Sequence, residues 1–316
     1  MKNPGMVLWV AVLTLLGSAP GFSQGDHQHG QGKVVVTVLP KQEGKLPVSV
    51  TEQNISLKVN GKPASVTGWK PLQSAANSLE LVLLIDGSAR NNLATQFGDI
   101  RHFVNNLPPN VTAAIAYMQN GRAVFAGPLS ADHAKVVSEL HLAGGQIDSS
   151  SSPYFCLTNL AKHWPSQDRG ARREVVMVTD GIDNLQNGYD PNDPYVQASI
   201  ADAVRAGVVV YSIYWVNSGA ADNSLTANNI GLSLLSEVSQ ATGGKSYWSG
   251  TGNPVSLAPF LDELARRLRN QYELEFTAPL SGKAEVADLK LKLNAPGNEI
   301  DAPQKAFLTP VAVALK

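Results

Sequence analysis

Apolar residues come in unbroken runs through the middle of the chain and in alternation near its two ends. Leu81 to Ile85, Thr112 to Met118, Glu174 to Thr179 and Val208 to Trp215 each carry four or more apolar side chains with little polar interruption. Such runs are the habit of strands buried on both faces. Between them, residues 95–106, 131–142, 154–163, 197–206, 230–242 and 257–270 have helical spacing; Ala134, Val137 and Leu140, for example, share one face. Strands alternating with helices over residues 78–270 predict an α/β domain, a doubly wound and mostly parallel sheet with right-handed crossovers. Outside it the period falls to two. Val34 to Val38, Leu46 to Val50 and Ile55, Leu57 and Val59 precede the domain, with an Asn60-Gly61 hairpin turn; Tyr272 to Phe276, Val286 to Leu293 and Phe307 to Leu315 follow it. Each set is too small to be stable alone. The two are therefore expected to pair into a small β-sandwich-like unit, made of residues 33–77 and 271–316, into which the α/β domain is inserted.

The N-terminus adds an address. Lys2, the apolar run Met6 to Leu16 and the small or turn residues Gly17 to Gly21 form the three parts of a secretory signal peptide, assigned to residues 1–24. The run is shorter than the roughly 20 apolar residues that span a bilayer, and no later segment is long and apolar enough to do so. An exported protein, periplasmic or secreted, is expected. Residues 25–32, GDHQHGQG, read as a linker. His27 and His29 lack further ligands nearby in sequence.

Charge narrows the partners. Lys and Arg number 25 against 26 Asp and Glu, a balance without the positive excess that nucleic acid or a polybasic membrane contact demands. The single cysteine, Cys156, cannot close an internal disulfide and reads as a small buried hydrophobe.

Chemistry gathers where two of the apolar runs end. Asp86-Gly87-Ser88 follows the first central strand and Thr179-Asp180-Gly181 another, with the loop 144–152 ahead of a helix. Open α/β sheets bind ligands at this carboxyl edge. Carboxylates and hydroxyls brought together there are hard oxygen donors suited to Mg²⁺. Asp183 and Asn184 fit turn or helix-cap roles, and the acidic loop 187–194 lacks the spacing of a calcium loop. Four histidines, His102, His133, His141 and His163, share no metal-ligand spacing.

LIDGSAR at Leu84 to Arg90 and VMVTDGIDN at Val176 to Asn184 resemble the D-x-S-x-S and T-D-G motifs of the von Willebrand factor type A (VWFA, or VWA) domain. The flanking segments, LPVSVTEQNISLKVNGKPASVTGW before and QYELEFTAP and ADLKLKLNAPG after, look like those of bacterial, chiefly acidobacterial, VWFA-related proteins. This resemblance implies a metal-ion-dependent adhesion site, MIDAS, with Asp86, Ser88 and Asp180 in matching positions. It also implies departures. Arg90 stands where the second serine belongs, and Gly144-Gly145-Gln146 offers no threonine, leaving Ser149, Ser150, Ser151 and Ser152 as the available hydroxyls. A guanidinium cannot ligate a metal. Either Arg90 pairs with Asp86 or Asp180 in place of the cation, a degenerate site, or it faces solvent and a nearby serine completes the metal's shell.

The resemblance implies a binding or adhesion module, not an enzyme. Its partner would be a protein or extracellular polymer met by Arg90, Ser149, Ser150, Ser151 and Asp183, with a partner carboxylate accepting a bidentate pair from Arg90. A structural component of an envelope assembly with a vestigial site is the alternative. A hydrolase is disfavoured, because the chain has no G-x-S-x-G elbow and no phosphate loop.

Overall fold

A computed structural model describes residues 28–42, 49–74, 76–89, 91–142, 152–183, 193–216, 224–250 and 252–311. The expected signal peptide lies outside these residues, as do Arg90, Ser149, Ser150, Ser151 and Asn184.

The chain opens with strands β1 (Gln28–Pro40), β2 (Ile55–Val59) and β3 (Lys62–Pro71). It continues through β4 (Leu79–Asp86), α1 (Asn91–Ala94), α2 (Phe97–Asn105), β5 (Val111–Gln119), β6 (Arg122–Phe125) and α3 (His133–Ser138). Next come α4 (Pro153–Lys162), β7 (Arg172–Thr179), α5 (Pro194–Ala206), β8 (Val208–Tyr214), α6 (Leu225–Thr242), β9 (Ser246–Tyr247) and α7 (Ala258–Leu268). Four strands close it: β10 (Gln271–Leu280), β11 (Glu285–Leu293), β12 (Asn298–Asp301) and β13 (Lys305–Pro310).

The terminal strands correct the expected architecture. They do pair across the length of the chain, but not as a sandwich: β10, β3, β2, β11, β13 and β1 follow one another antiparallel, and β1 then pairs with β10 to close a six-stranded barrel. β1 is long enough to use both edges, meeting β10 from Gln28↔Leu280 to Thr37↔Gln271 on one side and β13 and β12 on the other. Closure removes the unpaired edges that two small sheets would leave exposed. Leu57, Val59, Leu274, Phe276, Leu280, Leu289 and Leu308 fill the interior. Gly32 lets β1 cross over Phe276, since a Cβ there would lie 2.4 Å from the ring.

The second correction concerns the central sheet. Its order is β6-β5-β4-β7-β8-β9, and it is mixed. β4, β5, β7, β8 and β9 run parallel, while β6 turns back antiparallel on β5 after Asn120 and Gly121, both at positive φ. That two-residue turn matches the hairpin preference for Asn-Gly. β4 is buried at every position. Leu81, Leu83 and Ile85 point toward α2 and α7, whereas Val82 and Leu84 point toward α4, α5 and α6. Such two-sided burial explains the unbroken apolar run.

The two units meet at the end of α7, which runs almost directly into β10. Val38 N donates to Asn270 O at 2.9 Å, and Leu72 N to Gln271 O at 2.9 Å. Arg267, nearly buried on α7, bridges Glu263 at 2.8 Å and Asp301 of β12 at 2.5 Å.

Candidate functional site

β4 and β7 lie in register, with Ile85 opposite Val178, so Asp86 and Thr179 leave the sheet side by side. Thr179 Oγ1 donates to Asp86 Oδ2 at 2.7 Å. The other oxygen, Oδ1, accepts from Ser88 N at 2.9 Å and from Ser88 Oγ at 2.6 Å, which folds the turn back on the carboxylate. Gly87 is required where it stands, because a Cβ would come within 2.6 Å of the Met118 carbonyl at the end of β5.

The second turn is pressed against α6. Asp180 Oδ1 accepts from Ile182 N at 3.0 Å, and Gly181, at φ +72, passes next to Leu235 and the Gly231 carbonyl. Gly231 reciprocates: a Cβ on it would lie 2.0 Å from the Asp180 carbonyl oxygen. Asp183 continues the turn, its Oδ2 accepting from Ser152 Oγ at 3.0 Å. Ser152 also caps α4, with Phe155 N donating to its hydroxyl and Pro153 at the first helical position. Tyr154, buried on the same helix, donates to Gly181 O at 2.7 Å.

Three carboxylates thus sit in a low-exposure cluster, Asp86 at 4%, Asp180 at 3% and Asp183 at 8%. Their charge marks the groups around them. Burial, then Asp180 and Asp183, holds the Tyr154 hydroxyl far above its ordinary range. Burial and then Asp180 push Tyr214, at the end of β8, up to about 12, and its hydroxyl has no hydrogen-bond partner among the described residues. Burial, with a smaller push from Asp86, raises the Cys156 thiol to about 12.

Of the residues anticipated from sequence, Asp86, Ser88, Asp180 and Asp183 fall in this cluster, and Arg90, Ser149, Ser150 and Ser151 lie outside the described residues. Ser152, one of the four available hydroxyls, joins it through Asp183, and Thr179, Tyr154 and Tyr214 join it without standing among the candidate site residues. Thr179 was legible as the residue before Asp180, and Ser152 as a hydroxyl before proline, a helix-start signal. Nothing in the sequence pointed to Tyr154 or Tyr214.

The oxygen donors suit a hard cation in type. Asp86, however, turns both oxygens onto Ser88 and Thr179. Among the described residues no three His, Cys, Asp or Glu side chains converge as metal ligands. The described set does not by itself make a metal centre.

Large apolar side chains stand exposed along the same edge of the sheet. Tyr195 opens α5 after β7, Leu225 opens α6 after β8, and Trp248 follows β9; they are 42%, 68% and 51% exposed. Val255, in the segment before α7, is almost fully exposed. That segment is held at the edge by Gln96 Nε2 donating to Val255 O and by Asn253, which bonds Val216 N and O.

No protein-family model matches the chain, and no curated protein matches it. Among solved structures it is similar to an aerotolerance-related membrane protein from Bacteroides fragilis, at 12% identity over 60% of this chain and 98% of that one, with a TM-score of 0.42. The VWA domain of SpRpn10 matches at 13% identity over 59% and 95%, TM-score 0.36. Proximal thread matrix protein 1 from the mussel byssus, solved with a zinc-occupied MIDAS motif, matches at 14% identity over 67% and 49%, TM-score 0.43. A VWA domain and a MIDAS-motif protein are thus among its neighbours. At these identities and TM-scores they assign no activity, metal or partner to this chain.

Proposed function

We propose that the chain is an exported, non-enzymatic binding module that takes a protein or extracellular polymer at the carboxyl edge of its mixed sheet. The observation that carries this reading is the coincidence of two features at one edge. The buried carboxylate turns Asp86-Gly87-Ser88 and Asp180-Gly181 are there, and so are Tyr195, Leu225, Trp248 and Val255, which leave apolar surface in water. Scattered exposed apolar residues are ordinary, but several along one edge beside a polar centre have the make-up of a recognition surface, an apolar contact area around a polar anchor. Export rests on the N-terminal segment. Among the described residues no helix is long and apolar enough to cross a membrane. In this reading Arg90, next in the chain to the Asp86 turn, meets a partner carboxylate.

The test is capture from the native cell envelope with full-length mature chain as bait, comparing wild type with Trp248→Ser, Val255→Ser and Arg90→Ala. A partner held by wild type and lost with the edge variants, each still folded by circular dichroism, supports the module. The same proteins captured by all four chains would count against it.

A further inference from the structure

At the opposite end of the sheet, β7 carries a buried acid that the proposed binding surface does not use. Glu174 is fully buried, and among the described residues neither carboxylate oxygen accepts a hydrogen bond of good geometry, the Gln271 side chain being the polar neighbour that favours its charged form. Its neighbour Arg172 stands 3.8 Å from Oε1, too far for a hydrogen bond, with side-chain exposures of 7% and 0% for the pair. Arg172 instead holds the junction with the barrel. Its Nη1 donates to the Gln271 side-chain oxygen at the start of β10 and to the Leu268 carbonyl at the end of α7, at 3.4 Å. Gln271 Nε2 passes the chain on to the buried Tyr211 hydroxyl at 3.1 Å.

We infer that Glu174 is a proton-operated latch on the joint between the barrel and the mixed sheet. While neutral it leaves Arg172 on Gln271 and Leu268. Once ionised, it is a poorly satisfied buried charge with Arg172 as the cation beside it among the described residues, and it draws the guanidinium off the junction.

The groups facing it bear this out. On β4 and β8 the residues opposite in register are Leu81 and Val209, neither of which titrates. Tyr211 on β8 is held in its neutral form, its hydroxyl raised by burial and then by Glu174, with Arg267 of α7 opposing. Arg172 and Gln271 are the groups that favour the charged form of Glu174. Burial outweighs them and lifts the carboxyl from 4.5 to about 7. The folded chain therefore keeps a proton that the unfolded chain has already released. Stability from neutral Glu174 is complete below pH 4.5, declines as pH rises, and is gone above about 7.

The test is hydrogen–deuterium exchange of residues 268–274 in the full chain at about pH 6 and about pH 8, corrected for intrinsic exchange. With a midpoint near 7, wild type should open roughly tenfold more at the higher pH, and Glu174→Gln should lose that response. A wild type without the response, or a Glu174→Gln chain that keeps it, would overturn the latch. Carboxyl carbon NMR of glutamate-labelled wild type is independent of the variant's folding. A glutamate titrating near 7 supports the proposal, and its absence refutes it.

Discussion

Gly231 offers the sharpest test of how the edge is built, because two ordinary effects of replacing it by alanine have opposite signs. It lies inside α6, where alanine gains about 1 kcal/mol over glycine from helix propensity. A Cβ would, however, sit 2.0 Å from the Asp180 carbonyl oxygen, when separations under 3.0 Å are essentially never seen, so the helix or the turn must yield by at least about 1 Å. The obstructing atom is backbone and cannot rotate aside. α6 is itself held by the buried Leu234, Leu235, Val238 and Ala241. Overpacking of this kind costs roughly 1–3 kcal/mol, and a backbone clash belongs at the upper end. The expected balance is a net loss of about 2 kcal/mol for Gly231→Ala. Gly98 is the control. It lies on the exposed side of α2 with nothing within 4 Å of an added Cβ, so Gly98→Ala should gain up to about 1 kcal/mol. Urea denaturation followed by circular dichroism should move the two midpoints in opposite directions at similar slope. A Gly231→Ala chain as stable as wild type would refute the close approach of α6 to the Asp180 turn, and with it the account of how that carboxylate is positioned.

Two further predictions concern groups buried around the same turns. Thr179→Val removes the 2.7 Å donor to Asp86 while keeping nearly the same volume, and should cost about 1.5–3 kcal/mol in urea denaturation, as for hydrogen bonds to charged groups. Thr179→Ser should recover most of it; a Val variant indistinguishable from wild type would show that the hydroxyl does not hold the carboxylate. Cys156, fully buried with its thiol pushed up to about 12, should resist maleimide at neutral pH until the chain is unfolded in urea. Labelling of the native protein as fast as the denatured one would contradict that burial.

The central strands were plain from the pattern because two-sided burial favours apolar side chains at successive positions, as Leu81 to Ile85 display. The two strand-end turns were plain for a related reason. A buried run must stop where polar groups begin, and Asp86 and Asp180 begin there. Alternation at Ile55, Leu57 and Val59 likewise announced half-buried strands. It could not name their partners, because period two tells a strand which face is inside and nothing about which strand lies beside it. For that reason the alternation predicts a sandwich where β1 in fact closes a barrel by serving β10 on one edge and β13 on the other.

What the sequence determined by itself was local: which segments are buried, where they end, and which carboxylates and hydroxyls stand at those ends. Only the tertiary structure decided what those groups touch. Thr179 onto Asp86, Ser152 onto Asp183 and Tyr154 onto the Gly181 carbonyl join residues from different elements, and no spacing along the chain records such contacts. The same holds for Glu174, which reads as the first residue of an apolar strand and becomes a charge in question only because α7 and β10 fold over it.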